Sequence, residues 1–315
     1  MLKKLSSCVV ALCALAPGLL HAQTSSVRRV AITIDDCPVV NEMTDLGNFQ
    51  RITNGLIGSF QIEKVPVTVF INERQLNVPG QRDARAAVLD QWLAAGFELG
   101  NHTYSHLSAS NTPVEQFQDD VVKGEVITRA TLERRGQQLV WLRYPYLHSG
   151  ATAETHQAVV DFLDRRKYRV APVTVDYADY TFAGAYTREL RRGNVDVAER
   201  IKQAYFDQID VGFSYAERLS LELFGRDISQ ILLIHCNELN SVSLRESIAR
   251  IRRRGYTFIS LTDAMEDEAY QRADTFAGPG GSWLSRTATV TGKQLTPETV
   301  AARPVVPTWI TELPN

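Results

Sequence analysis

Cysteine is scarce in this chain. Four occur in 315 residues, and two of them, Cys8 and Cys13, lie in an apolar N-terminal stretch. A chain that loses that stretch keeps Cys37 and Cys236, which make no disulfide framework, so the fold must stand on its hydrophobic core. An excess of charge of one sign is also missing: 34 Lys and Arg face 36 Asp and Glu, a net charge of -2. No global basic field therefore argues for nucleic acid, and runs such as Arg252-Arg253-Arg254 and Arg191-Arg192 read as solvated helix faces. No internal repeat or low-complexity tract is visible. The one long apolar run, residues 5–20, is broken by Pro17-Gly18 and falls short of the ~20 residues a bilayer crossing needs, so stable membrane insertion is not expected.

That run does have a reading. Lys3 and Lys4 precede it and His21-Ala22-Gln23 ends it, the pattern of a secretory signal cleaved after Ala22. Residues 1–22 are expected to be a signal peptide, and the mature chain to be periplasmic or secreted. With 44% hydrophobic and 22% charged residues, the remainder can bury a full core, as one large domain with appendages or as two small ones.

Strand-like and helix-like stretches alternate. Buried-type strands are expected at residues 29–35, 64–72, 97–100, 139–143, 168–175, 231–235 and 256–261, and helices at 44–60, 83–95, 112–135, 152–167 and 241–254. In the long helix Thr112 is the expected N-cap, with Pro113 at the first position. Such alternation means parallel strands with crossover helices, in an open sheet or a barrel. Residues 181–227 break the rhythm as a long aromatic-rich helical segment, and beyond Tyr270 a Gly-, Thr- and Pro-rich tail is expected to drape over the domain or be mobile.

The polar residues of interest fall at the C-terminal ends of these strands: Asp35-Asp36, His102 and His106, Arg143, Asp176 and Asp179, and His235. In a parallel barrel those ends share one rim. Asp35-Asp36 before Cys37-Pro38 can be a surface turn or a site. His102-Thr103-Tyr104-Ser105-His106 has the spacing that sets two imidazoles on one side of a helical turn, as surface residues or as ligands of one metal, with Asp36 as a third.

Thr33-Ile34-Asp35-Asp36-Cys37-Pro38, His102 to His106, Arg143-Tyr144-Pro145-Tyr146, Asp176-Tyr177-Ala178-Asp179-Tyr180 and Leu233-Ile234-His235 resemble, in order, five motifs of the polysaccharide deacetylase family (carbohydrate esterase family 4, the NodB-homology domain). The resemblance implies an α/β fold, a deformed (β/α)7-8 barrel over residues 23–268 with a helical insertion at about 181–227, followed by a C-terminal extension, 269–315. It implies one divalent metal, zinc or else cobalt, manganese or nickel, on Asp36, His102 and His106. By the same resemblance Asp35 is the base for attack of a metal-bound water on an acetyl group, Arg143 orients Asp35, His235 protonates the leaving amine and Asp179 supports His235. Tyr146, through its backbone N–H, Tyr180 and Leu233 would bind the substrate or its oxyanion. The substrate implied is an N-acetylated amino sugar; an O-acetyl ester, another small acetylated molecule or amide, and a non-catalytic carbohydrate-binding barrel are the alternatives.

Two departures stand out. Cys37 replaces the family's usual glycine, and Tyr180 its commoner tryptophan. Cys37 and Cys236 are expected to come within disulfide reach, and residues 181–227 with the Trp283 region to wall the site.

Overall fold

The β-branched run from Arg29 to Ile34 becomes the central strand of a parallel sheet. The computed structural model describes residues 27–40 and 45–314; the expected signal peptide lies outside them. β1 (Arg28–Cys37) pairs with β2 (Val67–Ile71) on one side and β6 (Gln230–His235) on the other, and its first residues also pair with β7 (Tyr256–Phe258). Beyond β2 follow β3 (Glu98–Asn101), β4 (Trp141–Leu142) and β5 (Arg169–Val170), all parallel. Parallel neighbours need crossover connections. Helices α1 (Leu46–Glu63), α2 (Arg82–Ala94), α3 (Val114–Lys123), α4 (Val126–Glu133), α5 (Ala153–Arg165), α6 (Asp179–Arg191), α7 (Val195–Phe224) and α8 (Glu238–Arg253) lie between the strands in the chain. Main-chain groups are thus paired within the sheet while β1, almost wholly buried, forms its middle.

The strand expected at 168–175 is split, and the split closes the barrel. Arg169 N donates to Val140 O at 2.8 Å and Ala171 N to Leu142 O at 2.9 Å, on the β4 edge. After Pro172, Val175 bridges Leu232 of β6, donating to Ile231 O at 3.1 Å and accepting from Leu233 N at 3.0 Å. One segment therefore touches both edges of the sheet, giving the deformed barrel expected. Pro172, which has no N–H, sits at the bend between the two ladders.

The helix expected at 112–135 breaks at Gly124. A Cβ there would lie 2.4 Å from the carbonyl carbon of Thr103, so the loop after β3 packs where a continuous helix would run. Pro113, not Thr112, is the N-cap of α3, with no side-chain cap. The buried Glu73 carboxylate accepts from Ile127 N at 2.9 Å and Thr128 N at 2.6 Å, capping α4 in place of a local residue. The last strand ends at Phe258, and Ser260 then caps a short helix, α9 (Leu261–Ala264).

The aromatics of α6 and α7 are mostly packing: Tyr186, Tyr205, Phe206 and Phe213 are buried. The two helices pack on each other and on α8, so they buttress the barrel. Trp283 is likewise buried, stacked on Phe224 with ring centroids 5.9 Å apart. The expectation that residues 181–227 and the Trp283 region wall the site holds only for residues 279–281, just before Trp283; residues 181–227 and Trp283 itself do not line the cleft. The walls come from Tyr180, residues 279–281 and Arg303. The tail does drape: α10 (Trp283–Val290), α11 (Pro297–Ala301) and α12 (Thr308–Thr311) lie on the helical layer, with Trp283 N donating to Val173 O at 2.6 Å. Among the described residues no helix is long and apolar enough to cross a membrane.

Candidate active site

Neighbouring side chains on a regular strand point to opposite faces, yet Asp35 and Asp36 both face one cleft. The register between β1 and β2 slips between Ile34 and Cys37, and Asp36 has a φ of 56°. Asp is among the few residues that enter this left-handed region at small cost, and the bulge re-aims its carboxylate. The residue that makes the break is Asp36.

The histidine pair also converges by a route other than the expected helical turn. Thr103 and His106 have φ of 65° and 62°, and residues 102–106 form an irregular loop at the end of β3. Asp120 holds the loop, accepting from Ser105 N at 3.0 Å and Ser105 Oγ at 2.7 Å. Asn101 Oδ1 accepts from Thr103 N at 2.7 Å, and Asn72 Nδ2 donates to His102 O at 2.5 Å.

In consequence one potential ligand atom from each of Asp36, His102 and His106 lies within 4.8 Å of the others. Asp36 Oδ1 is 3.3 Å from His102 Nε2 and 3.1 Å from His106 Nε2. His102 Nδ1 is 2.8 Å from Arg143 O, a pure acceptor, so in the neutral ring Nδ1 carries the hydrogen and Nε2 turns a lone pair to Asp36. Burial pushes His106 down to about 4, leaving it neutral near pH 7. Asp36 Oδ1 is buried with no hydrogen-bond partner among the described residues. Two imidazole lone pairs and a carboxylate facing one another are a donor set for a cation, and the N2O composition fits a divalent metal such as zinc.

Asp35 adjoins this set, its Oδ2 3.8 Å from His102 Nε2. Arg143 Nη1 donates to both oxygens of Asp35, Nη2 to Thr33 Oγ1 at 2.9 Å, and Nε to Ala171 O at 2.8 Å. The guanidinium thus ties β1 to the segment that closes the barrel.

On the neighbouring strand β6, in register with Asp35, His235 Nδ1 is 2.7 Å from Asp179 Oδ1, and Asp179 Oδ2 accepts from His235 N at 3.0 Å. Asn237 and Asn240 also donate to Asp179 Oδ2, at 3.1 and 2.7 Å. Burial alone would lower the His235 pKa; the charge of Asp179, its hydrogen bond, and the charges of Asp36 and Asp35 outweigh that and raise it to about 10. His235 is therefore an imidazolium near pH 7.

The cleft measures about 900 Å³, and Tyr146, Tyr180 and Leu233 line it. Both tyrosines are exposed; the Tyr146 ring lies 4.4 Å from that of His106 and the Tyr180 ring 5.6 Å from that of His235. Leu233 joins Leu147 and Val173 in an apolar cluster apart from the main core. Cys37 and Cys236 form a disulfide with a Cα separation of 5.2 Å, linking the residue after Asp36 to the residue after His235.

Several residues escaped sequence reading. His148 lines the cleft, its Nδ1 2.8 Å from Ser108 Oγ, but no motif marks it. Asn237 caps α8, and an Asn directly before a helix was its available signal; Asn240, three residues on, carried none. Asp120 and Glu73 look like ordinary helix and loop acids until the fold brings the loops to them.

Residues 22–164 match the family model described as polysaccharide deacetylase. Among solved structures the chain is similar to the peptidoglycan deacetylase PdaC from Bacillus subtilis, with 20% identity over 77% of this chain and 92% of that one and a TM-score of 0.48. It is similar to a family 4 carbohydrate esterase from Streptomyces lividans in complex with acetate, with 14% identity over 75% and 95% of the two chains and a TM-score of 0.48. A CE4 family pseudoenzyme from Bacillus anthracis is a further match, with 17% identity over 76% and 66% and a TM-score of 0.48. No curated protein matches the chain.

Proposed function

From the match of residues 22–164 to the polysaccharide deacetylase family model, we propose a metal-dependent hydrolase that removes acetyl groups from N-acetylated amino sugars. The observation that carries this reading is the Asp36–His102–His106 set, sharing one cleft with a clamped carboxylate, Asp35, and a charged imidazole, His235. Bound there, a divalent ion such as zinc supplies Lewis-acid chemistry, polarising the acyl oxygen and making water acidic enough to be used near pH 7.

This chain's residues do the rest. Asp35, held by Arg143, takes the proton from the attacking water. His235 gives a proton to the departing nitrogen, and Asp179 keeps that imidazole charged and correctly turned until it does. The Tyr146 N–H assists the acyl oxygen, a role carried over from the resemblance. Leu233 and Leu147 offer an apolar surface for the acetyl methyl, and Tyr146 and Tyr180 offer ring faces to the sugar.

The His235–Asp179 pair favours amide over ester substrates. An amine is a poor leaving group without a proton, whereas an alkoxide from an O-acetyl ester needs less help. The buried Cys37–Cys236 bridge supports export to an oxidising compartment, in keeping with residues 1–22 read as a signal. The test is acetate release from a panel of acetylated sugars, before and after chelation, with Asp35→Asn as control. No acetate from any member with metal bound would overturn the reading in favour of a binding barrel.

A further inference from the structure

Behind residues 279–281 lies a second chamber of about 550 Å³, which shares Asp176, Pro279, Gly280, Gly281 and Arg303 with the active-site cleft. The strap between the two spaces is pinned at its ends by Gly278 N donating to Gly150 O at 2.8 Å and Trp283 N to Val173 O at 2.6 Å. Arg303 lines both spaces and so borders the cleft that holds the metal ligands.

The charges lining the chamber are unbalanced. Arg286, Lys293 and Arg303 face one acid, Asp176. Arg286 is accounted for, paired with Asp274 at 2.8 Å. Arg303 has no carboxylate within ion-pair distance among the described residues, and Lys293 feels the charge of Glu222 without an ion pair to it. A guanidinium presents paired donors that match a carboxylate or a phosphate, and cations lining a concave wall attract anions more strongly than cations on a flat surface.

We infer that this chamber is an anion subsite: the substrate carries a carboxylate or phosphate next to its acetylated unit, and Arg303, with Lys293 as second contact, receives it. The inference rests on the deacetylase reading and names the charge class of its substrate.

The experiment compares acetate release from N,N′-diacetylchitobiose, its aldonic acid and its 6-phosphate, by the wild-type protein and by Arg303→Ala, Arg303→Lys and Lys293→Ala. At low salt the wild type should have a lower KM for at least one charged disaccharide than for the neutral one, and the lower of the two charged values distinguishes carboxylate from phosphate. Arg303→Ala should cut the charged-to-neutral ratio of kcat/KM at least tenfold, Lys293→Ala by less, and Arg303→Lys should restore part of it. Equal KM values for all three in the wild type, or a ratio that Arg303→Ala leaves unchanged, overturns the inference. If no disaccharide releases acetate, the deacetylase reading has failed, and calorimetric binding decides the subsite separately. Charged disaccharides that bind more tightly than the neutral one, and lose that margin in Arg303→Ala, sustain it; equal binding of all three overturns it.

Discussion

Arg143 Nη1 lies 3.2 Å from each carboxylate oxygen of Asp35, with both side chains buried. The pair joins the first strand's end to the segment that closes the barrel, so it serves the site and the fold together. Removing one member leaves an uncompensated buried charge. Arg143→Ala should destabilise the protein by ~3–5 kcal/mol in denaturant titration and lower kcat at least a hundredfold. Lysine cannot reproduce the fork to Asp35, Thr33 and Ala171, so Arg143→Lys should recover little activity. A fully active Arg143→Lys protein would show that charge alone is used.

The His235–Asp179 pair makes stability depend on pH with a definite sign. The folded pKa of His235 is raised from 6.5 to about 10, so the folded state holds a proton that the unfolded state loses in that window. Its contribution is fully present below pH 6.5 and is lost as pH rises through about 10, with a slope of up to ~1.4 kcal/mol per pH unit. Denaturant titrations of metal-free protein across this range should show that fall, and Asp179→Asn should flatten it. The alkaline limb of the pH–rate profile should move to lower pH in the same variant; an unmoved limb would assign it to another group.

Metal should stabilise the fold as well as activate it. Zinc at a hundred times its Kd adds ~2.7 kcal/mol through linkage, visible as a raised Tm by calorimetry. Asp36→Ala, His102→Ala or His106→Ala should abolish that Tm shift together with acetate release. Retention of a full zinc-dependent shift in His106→Ala would remove His106 from the ligand set.

The disulfide closes a separation of 199 residues. Replacing both cysteines with serine should cost ~2–5 kcal/mol. Activity should fall less than tenfold, because Asn72 N still donates to Cys37 O at 2.9 Å and Cys236 N to Asp35 O at 3.0 Å, main-chain bonds that hold both strand ends. Loss of all activity in a folded double variant would make the bridge part of the site's geometry.

Gly124→Ala tests the break between α3 and α4. Its methyl would press on Thr103, which should cost ~1–3 kcal/mol as overpacking and weaken zinc binding by shifting His102 and His106. Unchanged zinc affinity by competition titration would show that the loop yields without moving its ligands.

Much of the site was legible because side-chain chemistry at strand ends is a local signal: Asp35, Asp36, His102, His106, Arg143, Asp179 and His235 all sit where the pattern put them along the chain. The walls were legible only in part, at residues 279–281 of the Trp283 region. Trp283 itself is core, because Phe224 and Tyr270 pack against it. The short strands at β4 and β5 were overestimated for a similar reason: apolar runs mark burial, and only pairing partners decide how many residues enter a ladder.

The sequence by itself determined the alternation of parallel strands and helices and the set of groups at the rim, since hydrophobic period and residue chemistry act within a few positions. Only the tertiary structure decided how those groups meet. The left-handed turn at Asp36, the loop at His102 to His106 and the split at Pro172 depend on packing partners far along the chain, such as Asp120, Gly124 and Leu232. The cationic chamber behind residues 279–281 exists because the tail folds back over the barrel, a contact that no local pattern encodes.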